Sequence, residues 1–215
     1  PRAGDREAWK TAHANALGKI MDESTITSPR KGGLSLYGTN MLMNVTNTIG
    51  GLGGFNSRDT SFEHAELLSG EYVKEHYLVD DPTCHACPVA CKKEVEIKEG
   101  PYKVRMESVE YEPAWSLGAN CGNDDIASVA FMIDRANDWG YDAIEIGQAL
   151  SALMEATERE YVAAGHGLAW GDRDGMIEMA RKVTFREGIG DKLADGIDPW
   201  AKSLGHPELA MTVKG

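Results

Sequence analysis

A mainly α-helical fold with one small β-hairpin is what the sequence predicts, on three observations. Apolar residues recur at three- and four-residue spacing in segments before and after the middle of the chain. Two-residue alternation is concentrated at 92–98 and 102–106, around Gly100-Pro101, which fits a hairpin. Glycine-rich breaks, chiefly Gly50-Gly51-Leu52-Gly53-Gly54, interrupt the helical pattern.

The elements follow in order. Residues 6–23 carry Ala8, Trp9, Ala12, Ala16, Leu17 and Ile20 on one face, predicting a first helix with a side available for packing. Residues 24–35 contain Ser28-Pro29 and Gly32-Gly33 and read as a loop. A second helix over 39–49 places Met41, Leu42, Val45 and Ile49 together and stops at the glycine run, where backbone entropy opposes helix. A third is expected to be capped by Thr60 or Ser61 and to run to about Tyr77, with Glu63 and Glu66 early. After the hairpin, helical spacing returns at Ile126, Val129, Ala130 and Ile133, at Ile146, Leu150, Leu153 and Met154, and at Met176, Met179, Ala180 and Val183. Asp172 to Asp174 can serve the N-terminus of the last of these, and a short helix is expected near 191–195.

Composition narrows the function classes. With 42% hydrophobic and 26% charged residues the chain is of ordinary globular type, and its 215 residues suit one domain. Its 34 acidic and 22 basic residues give a net charge of −12, which repels a phosphate backbone and argues against nucleic acid. The apolar runs are too short to span a bilayer and the first residues are no signal peptide, so a cytoplasmic location is expected. No repeat or low-complexity tract is present.

Cys84, Cys87 and Cys91 form a C-x2-C-x3-C turn, Cys84-His85-Ala86-Cys87-Pro88-Val89-Ala90-Cys91, and Cys121 stands alone. Such crowding in a cytosolic chain favours metal ligation over disulfides. Three thiolates on one turn suit a 4Fe-4S cluster completed by a cysteine from elsewhere. The same turn suits zinc with three cysteines and a histidine, or with four cysteines, and unliganded structural thiols are the plain alternative. Glu107, Glu110 and Glu112 precede Ala114-Trp115. One of them, beside a metal cofactor, can act as a general base; equally, they suit a charged strand end or a first helical turn. In 134–146, Gly140 as a helix C-cap and Asp142 as the next N-cap account for the polar residues without a ligand.

Together these segments resemble the aldehyde ferredoxin oxidoreductase family of tungsten enzymes. The resemblance is ordered along most of the chain. It rests on Tyr37-Gly38-Thr39, Asn44-Val45 and Gly50-Gly51-Leu52, on the cysteine turn with Thr83 and Lys92, and on Glu110-Tyr111-Glu112 with Leu117-Gly118-Ala119-Asn120-Cys121-Gly122. It continues through 137–142, Trp170-Gly171-Asp172, Arg186-Glu187-Gly188-Ile189-Gly190-Asp191 and Val213-Lys214-Gly215.

The resemblance implies a helical domain of that family's type spanning 1–215, the middle of a larger enzyme without its N-terminal pterin-cradling domain and its C-terminal domain. It implies that Cys84, Cys87 and Cys91 bind the 4Fe-4S cluster, the fourth cysteine lying in a later segment, with Cys121 a bystander. Glu110 corresponds to the catalytic glutamate near the tungsten, where it assists proton removal. Asn137, Gly140 and Asp142 correspond to a pterin-contacting pattern, D-x-x-G-x-D, in which Asn137 replaces the first Asp.

The implied cofactors are the cluster and a tungsten bis-pyranopterin (tungstopterin). The implied reaction oxidises a small aldehyde to a carboxylate, with electrons passed to ferredoxin or an electron-transfer subunit and homo-oligomeric assembly left open. The isolated chain is expected to be inactive. Two other readings stand beside this one: the catalytic subunit of a tungsten-dependent benzoyl-CoA reductase, and a non-catalytic helical module with a structural zinc site.

Overall fold

The structure, a computed structural model, describes residues 4–163 and 165–213. It is mainly α-helical, as the spacing predicts, with the predicted hairpin enlarged to a three-stranded antiparallel sheet. Lys214 and Gly215 of the last sequence landmark lie outside the described residues.

Helix α1 (Arg6–Ile20) is capped by Asp5, whose carboxylate accepts from the amides of Glu7 and Ala8. The helix ends three residues before the predicted Glu23, because Asp22 turns the chain by accepting from the amide and hydroxyl of Ser24. Its predicted packing face is mostly exposed among the described residues: none of its residues is fully buried, Trp9 is 55% exposed, and only Leu17 and Ile20 of that face are partly buried. Alanine-rich composition and the Asp5 cap support this helix more than burial does.

Helix α2 (Gly33–Tyr37) begins inside the predicted loop. The predicted helix over 39–49 is split into a 3-10 turn, Thr39–Met41, and α3 (Leu42–Thr48), which stops before the glycine run as expected. The third helix starts later than predicted. Asn47 brackets Phe62, accepting from its amide at 2.8 Å and donating to its carbonyl at 3.1 Å. That clamp leaves a 3-10 turn, Ala65–Leu68, and then α4 (Gly70–His76), whose cap is Ser69 rather than Thr60 or Ser61.

Strand β1 (Leu78–Asp80), which the alternation does not reveal, joins the predicted hairpin of β2 (Glu94–Ile97) and β3 (Val104–Met106). The order is β1-β2-β3, with Leu78 opposite Val95 and Val95 opposite Met106. The cysteine turn is thus a loop between the first two strands.

Helix α5 (Tyr111–Leu117) follows the acidic segment and carries Ala114, Ser116 and Leu117 into the core. It is followed by α6 (Ile126–Trp139), α7 (Ala143–Glu158) and α8 (Arg173–Thr184), the last capped by Asp172 as predicted. The short helix expected at 191–195 is α9 (Ile189–Leu193), and α10 (Ile197–Leu204) is an addition. Leu117 of α5, Val129 of α6, Leu150, Leu153 and Met154 of α7, Met176 of α8 and Ile197 of α10 form one buried core.

α5 and α7 approach closely because α7 has glycine at the contact. A Cβ on Gly147 would lie 2.2 Å from Ser116 Oγ. The turn after the glycine run is anchored to the same helix: Asn56 Nδ2 donates to Glu155 at 2.6 Å and to the Leu209 carbonyl at 3.0 Å. Among the described residues, no helix is long and apolar enough to cross a membrane.

Candidate active site

The cysteine loop is shaped by its backbone before any ligand is considered. The Cys87 amide donates to the Cys84 carbonyl at 3.0 Å, and the Thr83 hydroxyl donates to the Cys87 carbonyl at 2.6 Å. Ala86 and Ala90 take left-handed conformations, φ 56° and 52°, each one residue before a cysteine. A side chain as small as alanine keeps the cost of that conformation modest while turning the chain before Cys87 and again before Cys91.

Beneath the loop lies Lys93, a buried cation that the sequence reading passes over. Only 3% exposed, its ammonium donates to the carbonyls of Ala90 at 2.7 Å and Lys92 at 3.1 Å and to the Asp81 carboxylate at 2.8 Å. A buried ammonium is tolerated because its three donors are all used. The neighbouring Lys92 pairs with Glu107. Its ammonium is held above its usual pKa first by that partner, with further contributions from Cys84 and Cys91.

All four cysteines are free thiols. Cys84 is exposed, and Cys87 and Cys91 are half-buried. Cys121 lies in the core, its thiol donating to the carbonyls of Ser116 and Gly147 at 3.3 and 3.4 Å. Burial pushes the Cys121 thiol pKa strongly up.

The loop's donor set of three unpaired thiols separated by small residues suits three corners of an iron-sulfur cubane. Cys84, Cys87 and Cys91 lie on one short loop between β1 and β2. Among the described residues, no three His, Cys, Asp or Glu side chains converge on a single-ion site. A cubane does not require that convergence, since each cysteine binds a different iron.

Glu110 occupies the N-cap position of α5, with extended backbone, yet its side chain makes no capping bond. Thr39 makes one in its place: its hydroxyl oxygen accepts from the Tyr111 amide at 3.0 Å. The same hydroxyl donates to the Glu110 carboxylate. Beside α5 an open groove of about 480 Å³ is lined by Gly50, Gly51, Gly53, Tyr111, Glu112 and Trp115. Trp115 closes one wall by donating its indole N–H to the Gly53 carbonyl at 2.7 Å.

Asn137, Gly140 and Asp142 are exposed at the joint between α6 and α7. Gly140 ends α6 in a left-handed conformation, φ 78°, its amide donating to the Ala136 carbonyl at 2.9 Å. Asp142 caps α7 through one carboxylate oxygen, which accepts from Ile144 and Glu145 at 2.7 and 3.0 Å. Both capping roles match the local sequence reading. The second Asp142 oxygen and the Asn137 side chain in the last turn of α6 remain available to a ligand.

The structure therefore brings Glu110 and the cysteine loop to one neighbourhood through Gly38-Thr39. A Cβ on Gly38 would lie 2.7 Å from the Cys91 carbonyl oxygen. Gly38 and Thr39 figured in the sequence only as a landmark, and Lys93 carried no local signal, since a buried lysine and a solvated one look alike in a charged strand.

A family model described as aldehyde ferredoxin oxidoreductase, domains 2 and 3, matches residues 14–215. A tungsten-containing aldehyde ferredoxin oxidoreductase from Thermococcus kodakarensis is 36% identical over 188 residues, 85% of this chain and 31% of that protein. One of the same description from Pyrococcus furiosus is 37% identical over 188 residues, again 85% and 31%. The chain thus spans about a third of the length of these relatives. An aliphatic sulfonate oxidoreductase, WOR-like subunit, from Pyrococcus furiosus is 28% identical over 141 residues, 61% of this chain and 23% of that protein. Among solved structures, the active site complex BamBC of benzoyl coenzyme A reductase superposes with a TM-score of 0.58 at 19% identity. It covers 77% of this chain and 26% of its own, a likeness of fold.

Proposed function

The chain belongs to the aldehyde ferredoxin oxidoreductase family, and from that premise we propose that it serves a tungsten-pterin enzyme oxidising aldehydes to carboxylates. Its part is to hold a 4Fe-4S cluster and to supply a proton-transferring carboxylate. The observation that carries this reading is the Glu110 carboxylate, freed from capping by Thr39 and tied through the preceding residue to the cysteine loop.

The reaction adds water to an aldehyde and yields the acid, two protons and two electrons. When bound, the tungsten-pterin and the cluster supply the redox chemistry, which the protein only positions. Glu110 accepts a proton from the hydrated aldehyde through the oxygen that Thr39 leaves unengaged. Cys84, Cys87 and Cys91 hold the cluster with a fourth ligand from outside this chain, and Lys93 keeps the loop carbonyls in place. Asp142 and Asn137 offer hydrogen bonds to the pterin from the α6–α7 joint, with Gly140 keeping the approach open. Electrons leave toward ferredoxin or an electron-transfer subunit.

Glu110→Gln in the complete enzyme tests the proton-transfer role. Aldehyde turnover is expected to fall roughly 100- to 10,000-fold, with iron, sulfide and tungsten contents unchanged. Full activity in that variant overturns the assignment of Glu110. Aldehydes and aromatic thioesters assayed side by side on the unaltered enzyme separate aldehyde oxidation from ring reduction. Zinc without iron or sulfide in the purified protein points instead to a structural zinc module.

A further inference from the structure

We propose that Gly38-Thr39 is a shared brace: Thr39 is a positioning residue that aims the Glu110 carboxylate, and Gly38 fixes that aim relative to the Cys91 end of the cysteine loop. The inference rests on the reading of Glu110 as the proton-transferring group.

A helix N-cap residue normally satisfies free amides of the first turn with its own side chain. Glu110 does not. The Thr39 hydroxyl accepts from the Tyr111 amide at 3.0 Å, which leaves its single proton directed at Glu110 Oε2. One carboxylate oxygen is thereby pinned and Oε1 is left for a reacting proton. The base of the turn is itself held: Asn40, 1% exposed, donates to the Leu68 carbonyl at 2.7 Å.

Gly38 has φ 68°, where L side chains are strained, and a Cβ there would lie 2.7 Å from the Cys91 carbonyl oxygen and 3.4 Å from Lys93 Cγ. Two adjacent residues therefore touch the backbone of a cluster-loop cysteine and the side chain of the acid. A misplacement of about 1 Å can cost on the order of 100-fold in rate, so a fixed link between redox and proton-transfer groups has catalytic weight.

The test uses the complete holoenzyme with Thr39→Val, Thr39→Ser and Glu110→Gln. Thr39→Val is expected to lower kcat about 10- to 100-fold with KM, iron and sulfide unchanged, and Thr39→Ser to restore most of the rate. Subtracting Glu110→Gln spectra isolates the Glu110 carboxylate infrared band, which is expected to shift in the Thr39→Val background and to return with serine. If Glu110→Gln is inactive while Thr39→Val matches the parent in rate and band position, the positioning role is overturned. Equal losses in valine and serine variants, accompanied by lost iron, overturn it too, because they mark a merely structural residue. Full activity in Glu110→Gln sinks the underlying reading of Glu110, whichever way the Thr39 variants behave.

Discussion

Lys93 places a cation in the interior, where an ammonium is stable only if its donors are occupied. Its partners are two loop carbonyls and Asp81, whose side chain is 53% exposed and so partly solvated on its own. Lys93→Met keeps most of the unbranched side chain and removes those bonds. It is expected to lower stability by about 1–3 kcal/mol, read as a lower urea midpoint, and to reduce iron retention. Lys93→Arg is not expected to rescue, because a planar fork does not replace three tetrahedral donors. An unchanged midpoint and iron content would show that the loop holds its shape without this clamp. The cysteines differ at the same scale. In metal-free protein under anaerobic conditions, iodoacetamide is expected to modify exposed Cys84 first and to leave Cys121 unmodified until unfolding, since burial disfavours its reactive thiolate. Early labelling of Cys121 in native protein would contradict its place in the core.

At the scale of elements, the contact between α5 and α7 decides how the acidic segment is presented. Alanine ordinarily improves a helix interior over glycine by up to about 1 kcal/mol, but at Gly147 the sign is expected to reverse. The new Cβ would lie 2.2 Å from Ser116 Oγ and 2.7 Å from the Ser116 carbonyl. Ser116 is not free to move aside, since its hydroxyl donates to the Ile144 carbonyl at 2.7 Å. Gly147→Ala should therefore destabilise by about 1–3 kcal/mol, measured by thermal or urea unfolding; a stabilised variant would mean that the helices separate easily. The acidic segment, which suits either a strand end or a first helical turn, divides between the two: Glu107 directly follows β3, Glu110 is the N-cap of α5 and Glu112 lies in its first turn. The late start of α4 has a similar origin. Thr60 and Ser61 are good caps by type, yet Asn47 holds the following chain at Phe62, and tertiary contact outweighs a local preference worth only about 1 kcal/mol.

Across the whole molecule, two tyrosines with raised pKa values, one of them bridging distant elements, give the fold an alkaline limit. Tyr102, at the hairpin, donates to Asp174 in the first turn of α8 at 2.8 Å. Its pKa is pushed up to about 12 by burial and by that carboxylate. Tyr141, between α6 and α7, is pushed up to about 12 by burial. Both stay protonated in the folded chain after their unfolded counterparts ionise near pH 10. Their contribution is thus complete below about pH 10 and is lost as pH rises toward about 12. Urea midpoints are expected to hold to pH 9 and to fall by pH 11, and Tyr102→Phe should weaken that fall; a midpoint flat across the range would deny these tyrosines a role. By itself the sequence determined the helical class, the hairpin, the cysteine turn, the caps at Asp142 and Asp172, and the family resemblance. Each of these is written in local spacing or in an ordered set of motifs. Only the tertiary structure decided that Lys93 is buried, that α1 keeps most of its apolar face exposed, and that Thr39 takes over the capping of Glu110's helix. The Thr39–Glu110 bond joins residues 71 positions apart, and a contact of that span depends on how helices and loops pack, which no local periodicity encodes.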